Sequence, residues 1–85
     1  MPRFFIDYQD ANQSHFDSMG SRLPSLAQAR VEALGAFPEI TKGMITDGME
    51  QTFTATVRDE SGMPVYRATL KFTGECVPSV PRSVL

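Results

Sequence analysis

A second cysteine, a second histidine and any marked excess of charge are all missing from this 85-residue chain. One Cys and one His exclude a disulfide framework and a zinc site built within one chain. No uncharged apolar run approaches the roughly 18 residues that span a bilayer. Eight basic against ten acidic residues give a formal charge of -2, so no global attraction to nucleic acid or to an anionic membrane is expected. No internal repeat and no low-complexity block occurs. What remains is a chain with 41% apolar and 21% charged residues, an ordinary composition for one small soluble domain without room for a second core.

The two ends set the expected limits of that domain. Met1-Pro2-Arg3-Phe4-Phe5-Ile6-Asp7 is neither a signal-peptide apolar core nor an Arg/Ser-rich transit segment, so the cytoplasm is the expected compartment. Cys76 to Leu85 contains Pro78 and Pro81 and no periodicity, which predicts a flexible tail over residues 74–85 and a single domain over residues 1–73. A core of that size is marginal and gains from a subunit interface.

Three segments alternate with the period of two that defines a strand. Phe4, Ile6 and Tyr8 oppose Arg3, Phe5 and Asp7; Phe53, Ala55 and Val57 oppose Thr52, Thr54, Thr56 and Arg58; Tyr66, Ala68, Leu70 and Phe72 oppose Val65, Arg67, Thr69 and Lys71. Asp10 to Gln13 predicts a turn into a short strand near Ser14 to Asp17, and Asp17 to Gly20 turns the chain again. Around Asp59-Glu60-Ser61-Gly62, apolar residues are odd-numbered on one side and even-numbered on the other. Paired positions must then sum to an odd number. A four-residue loop closed by Arg58 opposite Met63 meets that condition, with Gly62 at positive φ; a three-residue loop turns Arg67 and Lys71 into the core.

Ser25, with Gln28 three residues on, predicts a helix N-terminus with a capping box. Leu26, Ala29, Ala33, Phe37, Ile40 and Met44 recur at helical spacing, widened by Leu34. Pro38 removes a donor to Leu34 at a cost of about 3 kcal/mol in a straight helix. The expected helix therefore runs from Ser25 to about Phe37, kinks at Pro38 and resumes toward Met44 before Thr46-Asp47-Gly48 ends it.

Met1 to Asp7, the Asp17 to Gly20 turn, Leu23-Pro24-Ser25, Ala29-Arg30-Val31-Glu32-Ala33 and Val57 to Val65 together resemble an uncharacterised domain-of-unknown-function family of small alphaproteobacterial proteins. In that pattern a Met-Pro-Arg-aromatic-Phe-Phe-Asp start leads to a Val-Arg-Asp-x-x-Gly-x-Pro-Val hairpin. The resemblance covers roughly residues 1 to 72. Ser25 stands where the pattern has Asp, Pro38 interrupts what is otherwise continuous helix, and the Pro/Ser tail is extra. The resemblance implies strand-helix-strand order and brings no assigned activity.

No catalytic constellation is visible, so an enzyme is not expected. His15 has only Ser14 and Asp17 as sequence neighbours with useful chemistry and reads as a solvated turn residue; Cys76 reads as an inert thiol. Asp10-x-Asn12-x-Ser14 starts like a calcium loop, but His15 replaces the required Gly and Ser21 the bidentate Glu, leaving an Asx-type turn. Gly43 and Gly48 lack the Lys-Ser/Thr of a phosphate loop. No metal and no cofactor are expected.

The feature above background is the outward sheet face, where Arg3, Phe5, Arg58, Arg67 and Lys71 lie among threonines with Asp7 and Glu50 as counter-charges. The fold expected is α+β: an antiparallel sheet of three or four strands in the order ββαββ, with one kinked helix on one face. The expected core is Phe4, Ile6, Tyr8, Leu26, Ala29, Ala33, Leu34, Phe37, Phe53, Ala55, Val57, Tyr66, Ala68, Leu70 and Phe72. The expected function is a small non-enzymatic interaction module, a homodimer with an unknown protein partner and no membrane. The alternative is a nucleic-acid-binding or antitoxin-like regulator using the outward face.

Overall fold

A computed structural model describes residues 1–42 and 50–74. Met44, the Thr46 to Gly48 helix stop, Cys76 and the tail beyond Gly74 lie outside those residues. The chain forms β1 (Arg3–Gln9), β2 (Ser14–His15), β3 (Ser21–Arg22), α1 (Leu26–Gly35), α2 (Phe37–Thr41), β4 (Gln51–Arg58) and β5 (Pro64–Phe72). The sheet is antiparallel with order β2-β1-β4-β5, and β3 also pairs with β1. The architecture is the expected α+β arrangement of sheet and bent helix. The two-residue β3 is an addition, too short to leave a period in the sequence.

Alternation sorts the two faces as the pattern requires. Phe4, Phe53, Ala55 and Val57 are buried against Ala29, Ala33 and Phe37 of the helices, with Ile6, Tyr8, Leu23, Tyr66 and Ala68 packed around them. Of the expected core, Ile6, Tyr8, Tyr66, Ala68 and Phe72 are half-buried, and three residues are exposed: Leu26, Leu34 and Leu70 at 38%, 46% and 40%. The reason is the placement of α1. Its contact face is built of alanines, which let it sit close over β4 and β1 and leave the helix side of β5 partly uncovered. The apolar stripe is therefore narrower than its sequence suggests.

Ser25 is extended (φ -161°) and its Oγ accepts the Gln28 N–H at 3.2 Å. Only half of the expected capping box forms, because the Gln28 side chain donates forward to Glu32 Oε1 at 3.2 Å. The helix bends where Ala36 separates α1 from α2, and Ala36 keeps a right-handed backbone of φ -84° and ψ -17°. Pro38 falls in the first turn of α2, where a missing N–H breaks no helical bond. Phe37 is buried and Ile40 half-buried, so the stripe crosses the bend in phase. Tyr8 ties β1 to this bend: its hydroxyl donates to the Ala33 carbonyl at 3.3 Å, and its ring meets that of Phe37 edge-on at 6.1 Å.

The hairpin between β4 and β5 corrects the expected register while preserving its parity. The Asp59 N–H donates to the Met63 carbonyl and the Gly62 N–H to the Asp59 carbonyl, both at 2.9 Å, which closes a three-residue loop of Glu60, Ser61 and Gly62. Gly62 has φ +88° as expected. Arg58 pairs with Pro64 and Val57 with Tyr66, so Val65 is an extra residue on β5. That bulge restores the alternation the short loop would have inverted. Arg67 therefore stays opposite Thr56 and Lys71 opposite Thr52, away from the helix.

Two glycines carry different loads. A Cβ on Gly62 would meet nothing within 4 Å, whereas one on Gly20 (φ +71°) would lie 2.9 Å from Arg3 Cγ and Phe5 Cε1 and 3.0 Å from the Phe4 carbonyl oxygen. Gly62→Ala is expected to cost about 1 kcal/mol from backbone strain alone, and Gly20→Ala more, since a clash adds to the same strain. Urea unfolding measures both. Equal midpoints would show that the chain at Gly20 can move away from β1 freely.

Candidate functional site

Strand alternation and register place Arg3, Phe5, Arg58, Arg67 and Lys71 on the face turned away from α1, where Phe5 pairs with Arg58 and Thr56 with Arg67. At its centre, Arg58 Nε donates to Asp7 Oδ2 at 2.7 Å and Nη2 to Asp7 Oδ1 at 3.0 Å, a bidentate ion pair. Nη2 also donates to the Asp17 carbonyl at 2.9 Å. The guanidinium carbon lies 4.9 Å from the centroid of the Phe5 ring and 4.2 Å from that of Phe16, within cation–π range. Arg58 is thereby held from several directions and leaves little of its charge for a ligand.

Asp17 completes the arrangement. Its Oδ2 accepts the Ile6 N–H at 3.0 Å, and its Oδ1 accepts the N–H groups of Met19 at 3.1 Å and Gly20 at 2.9 Å. Its own N–H donates to Asp7 Oδ1 at 2.9 Å. Partial burial favours the neutral form of both carboxyls, but hydrogen bonds outweigh it and hold both below the ordinary carboxylate range. For Asp7 those come first from the Arg58 guanidinium and then from the Asp17 amide; for Asp17 they come from Gly20, Ile6 and Met19. Three amides occupy the Asp17 carboxylate, which gives it a structural job beside His15.

The remaining candidates are more loosely held. The Arg3 N–H donates to Glu60 Oε1 at 2.7 Å and Arg3 Nη1 to the Met19 carbonyl at 2.8 Å. Arg67 Nε reaches Thr56 Oγ1 at 3.4 Å, and Lys71 Nζ lies 3.2 Å from Glu50 in an exposed pair. Asp7 and Glu50 thus act as the counter-charges their positions suggested. Phe16 is what sequence reasoning missed: 68% exposed, it adds a second aromatic ring beside Phe5. Its only signal was an aromatic residue within the short strand expected near Ser14 to Asp17, a stretch too brief to show a periodicity. At the calcium-like segment, Asp10 Oδ1 accepts the N–H groups of Asn12 and Gln13, each at 2.7 Å, the expected Asx turn. The cavity lined by Tyr8, His15, Phe37, Ile40 and Phe53 among others holds about 60 Å³, well under the roughly 300 Å³ of a small organic ligand site, while two shallower clefts, one beside His15, Asp17 and Glu32 and one along Gln9 to Ala11 and Glu50 to Thr52, hold about 470 and 510 Å³.

The family described as Domain of unknown function (DUF6894) matches residues 3–71, and the chain belongs to it. No curated protein and no solved structure matches the chain.

Two depressed carboxyl groups fix the sign of the acid response. Their contribution to stability is complete above the unfolded value near 3.8 and is lost as pH falls through the lower folded values. Unfolding midpoints from about pH 6 to about pH 2 should therefore fall below about pH 4, and less steeply in Arg58→Ala, which removes the main partner of Asp7. At neutral pH, Arg58→Ala should lower Tm by several degrees, against about one degree or less for Lys71→Ala in its exposed pair. Matching losses in the two variants would place Arg58 in an ordinary surface pair.

Proposed function

We propose that this DUF6894 member is a small non-enzymatic interaction module that acts as a homodimer. The observation that carries the reading is the outer edge of β5. The nine-residue strand Pro64–Phe72 pairs with β4 on one side through every residue but the bulged Val65, and no other described strand pairs with it. Such an edge offers unpaired backbone donors and acceptors to a second chain. Leu26, Leu34 and Leu70, 38%, 46% and 40% exposed, lie on the helix or the strand nearest that edge. A partner there would remove apolar surface that one helix over a thin sheet leaves wet. The cytoplasm is the compartment this reading assigns, supported by the single Cys of the sequence.

The second reading, a nucleic-acid-binding or antitoxin-like regulator, gains from one observation. Phe16 joins Phe5 on the face that carries Arg67 and Lys71, and two rings near basic groups suit stacked bases. Against it, Arg58 is engaged by Asp7 and Lys71 by Glu50, so two of the four cations of that face are already paired and Arg3 and Arg67 are left to meet phosphates.

Sedimentation at micromolar concentration, with titration of labelled single-stranded RNA and DNA at two salt concentrations, separates the readings. The expected result is a concentration-dependent dimer without salt-sensitive binding. A monomer whose affinity for either strand falls steeply as salt rises would reverse the order.

A further inference from the structure

We infer that two copies join β5 to β5 in antiparallel register about a two-fold axis at Ala68, making one continuous sheet. The inference rests on the homodimer reading and adds to it a surface and a register. A two-fold normal to the sheet keeps both helices on one side, so opposed residues share a face and their numbers sum to an even number. Few registers meet that condition with useful overlap, and the charges on β5 distinguish them. An axis at Thr69 sets Arg67 opposite Lys71 of the other copy, twice. An axis at Arg67 sets that residue opposite itself. Like charges directly opposed are unfavourable. An axis at Ala68 sets Arg67 opposite Thr69 and Lys71 opposite Val65, and it is the centre of Pro64–Phe72.

The helix side favours the same axis. There Tyr66 would oppose Leu70, an aromatic–aliphatic pair that covers the 40% exposed Leu70, and the two alanines would meet at the axis without crowding. Arg30 lies 5.1 Å from the centroid of the Tyr66 ring, so the flank of α1 that carries it borders β5. Leu26 and Leu34, one turn either side of Arg30, belong to that flank. The second copy therefore covers the leucines that the expected core included and the isolated chain leaves exposed. The bulge at Val65 falls in the outer pairs of this register and leaves Tyr66 to Leu70 regular.

Charge substitutions on the exposed outer face test the register without entering the core. Thr69→Glu places a carboxylate opposite Arg67 in both halves, and sedimentation equilibrium of the full chain should show dimer dissociation weakened by about fivefold, a lower Kd. In a register centred on Thr69 the new carboxylates oppose each other and Kd rises. Arg67→Thr should leave Kd within about twofold of the parent chain, whereas registers centred on Arg67 or Thr69 lose a like-charge pair and tighten. A dimer whose Kd rises or stays unchanged in Thr69→Glu, or tightens in Arg67→Thr, overturns the register but leaves the homodimer reading standing. A parent chain that stays monomeric overturns both.

Discussion

The ion pair between Asp7 and Arg58, with Asp17 folded against it, is the contact on which the first third of the chain depends. β2 and β3 pair with opposite ends of β1, so the stretch between them leaves the middle of that edge without a strand. Asp17 fills the gap with a side chain. Its carboxylate takes the Ile6 amide and the amides of the turn that follows, while its own N–H and carbonyl reach Asp7 and Arg58. A buried or half-buried amide left without a partner costs about as much as a lost hydrogen bond. The carboxylate therefore performs the task of a missing strand segment, and Gly20 is the residue that lets the chain return tightly enough for β3 to form.

That constraint changes what the outward face can do. A tally of basic residues counts Arg58 as available to a ligand, whereas its guanidinium is matched to Asp7 in two bonds and rests near Phe5 and Phe16. Of its aromatic neighbours, Phe16 is exposed and Phe5 half-buried. The face is thus better described as two rings and a neutralised ion pair, bordered by the looser Arg67 and Lys71, than as a basic strip.

What could be read from the sequence was whatever repeats locally. Alternation located the three longer strands and their faces, and Ser25 announced its helix because a cap needs only neighbouring amides. The loop length could not be read, since parity constrains only whether paired numbers sum to odd. A loop one residue shorter and a strand one residue longer at Val65 satisfy the same parity as the register first expected. Leu26, Leu34 and Leu70 were misplaced because helical or strand spacing says which residues share a face, not how far the opposing element extends over it. The outward placement of Arg3, Phe5, Arg58, Arg67 and Lys71 was legible, as was the pairing of Asp7 and Glu50 with cations of that face. Phe16 and Asp17 were not, because their roles arise from a turn brought against β1 by tertiary structure.

The two edges of the sheet are defended differently. On the β1 side, the broken strand and Asp17 occupy backbone groups that a second chain would need. On the β5 side the protections are Pro64, the Val65 bulge, Arg67 and Lys71, devices that discourage indiscriminate pairing. Both charges, however, point to the outer face, and the bulge lies at one end of the strand. Neither blocks in-plane approach along Tyr66 to Leu70. Charges so arranged penalise particular alignments of two copies far more than they penalise contact itself, and an edge that tolerates one alignment while opposing its neighbours suits selective association better than simple protection.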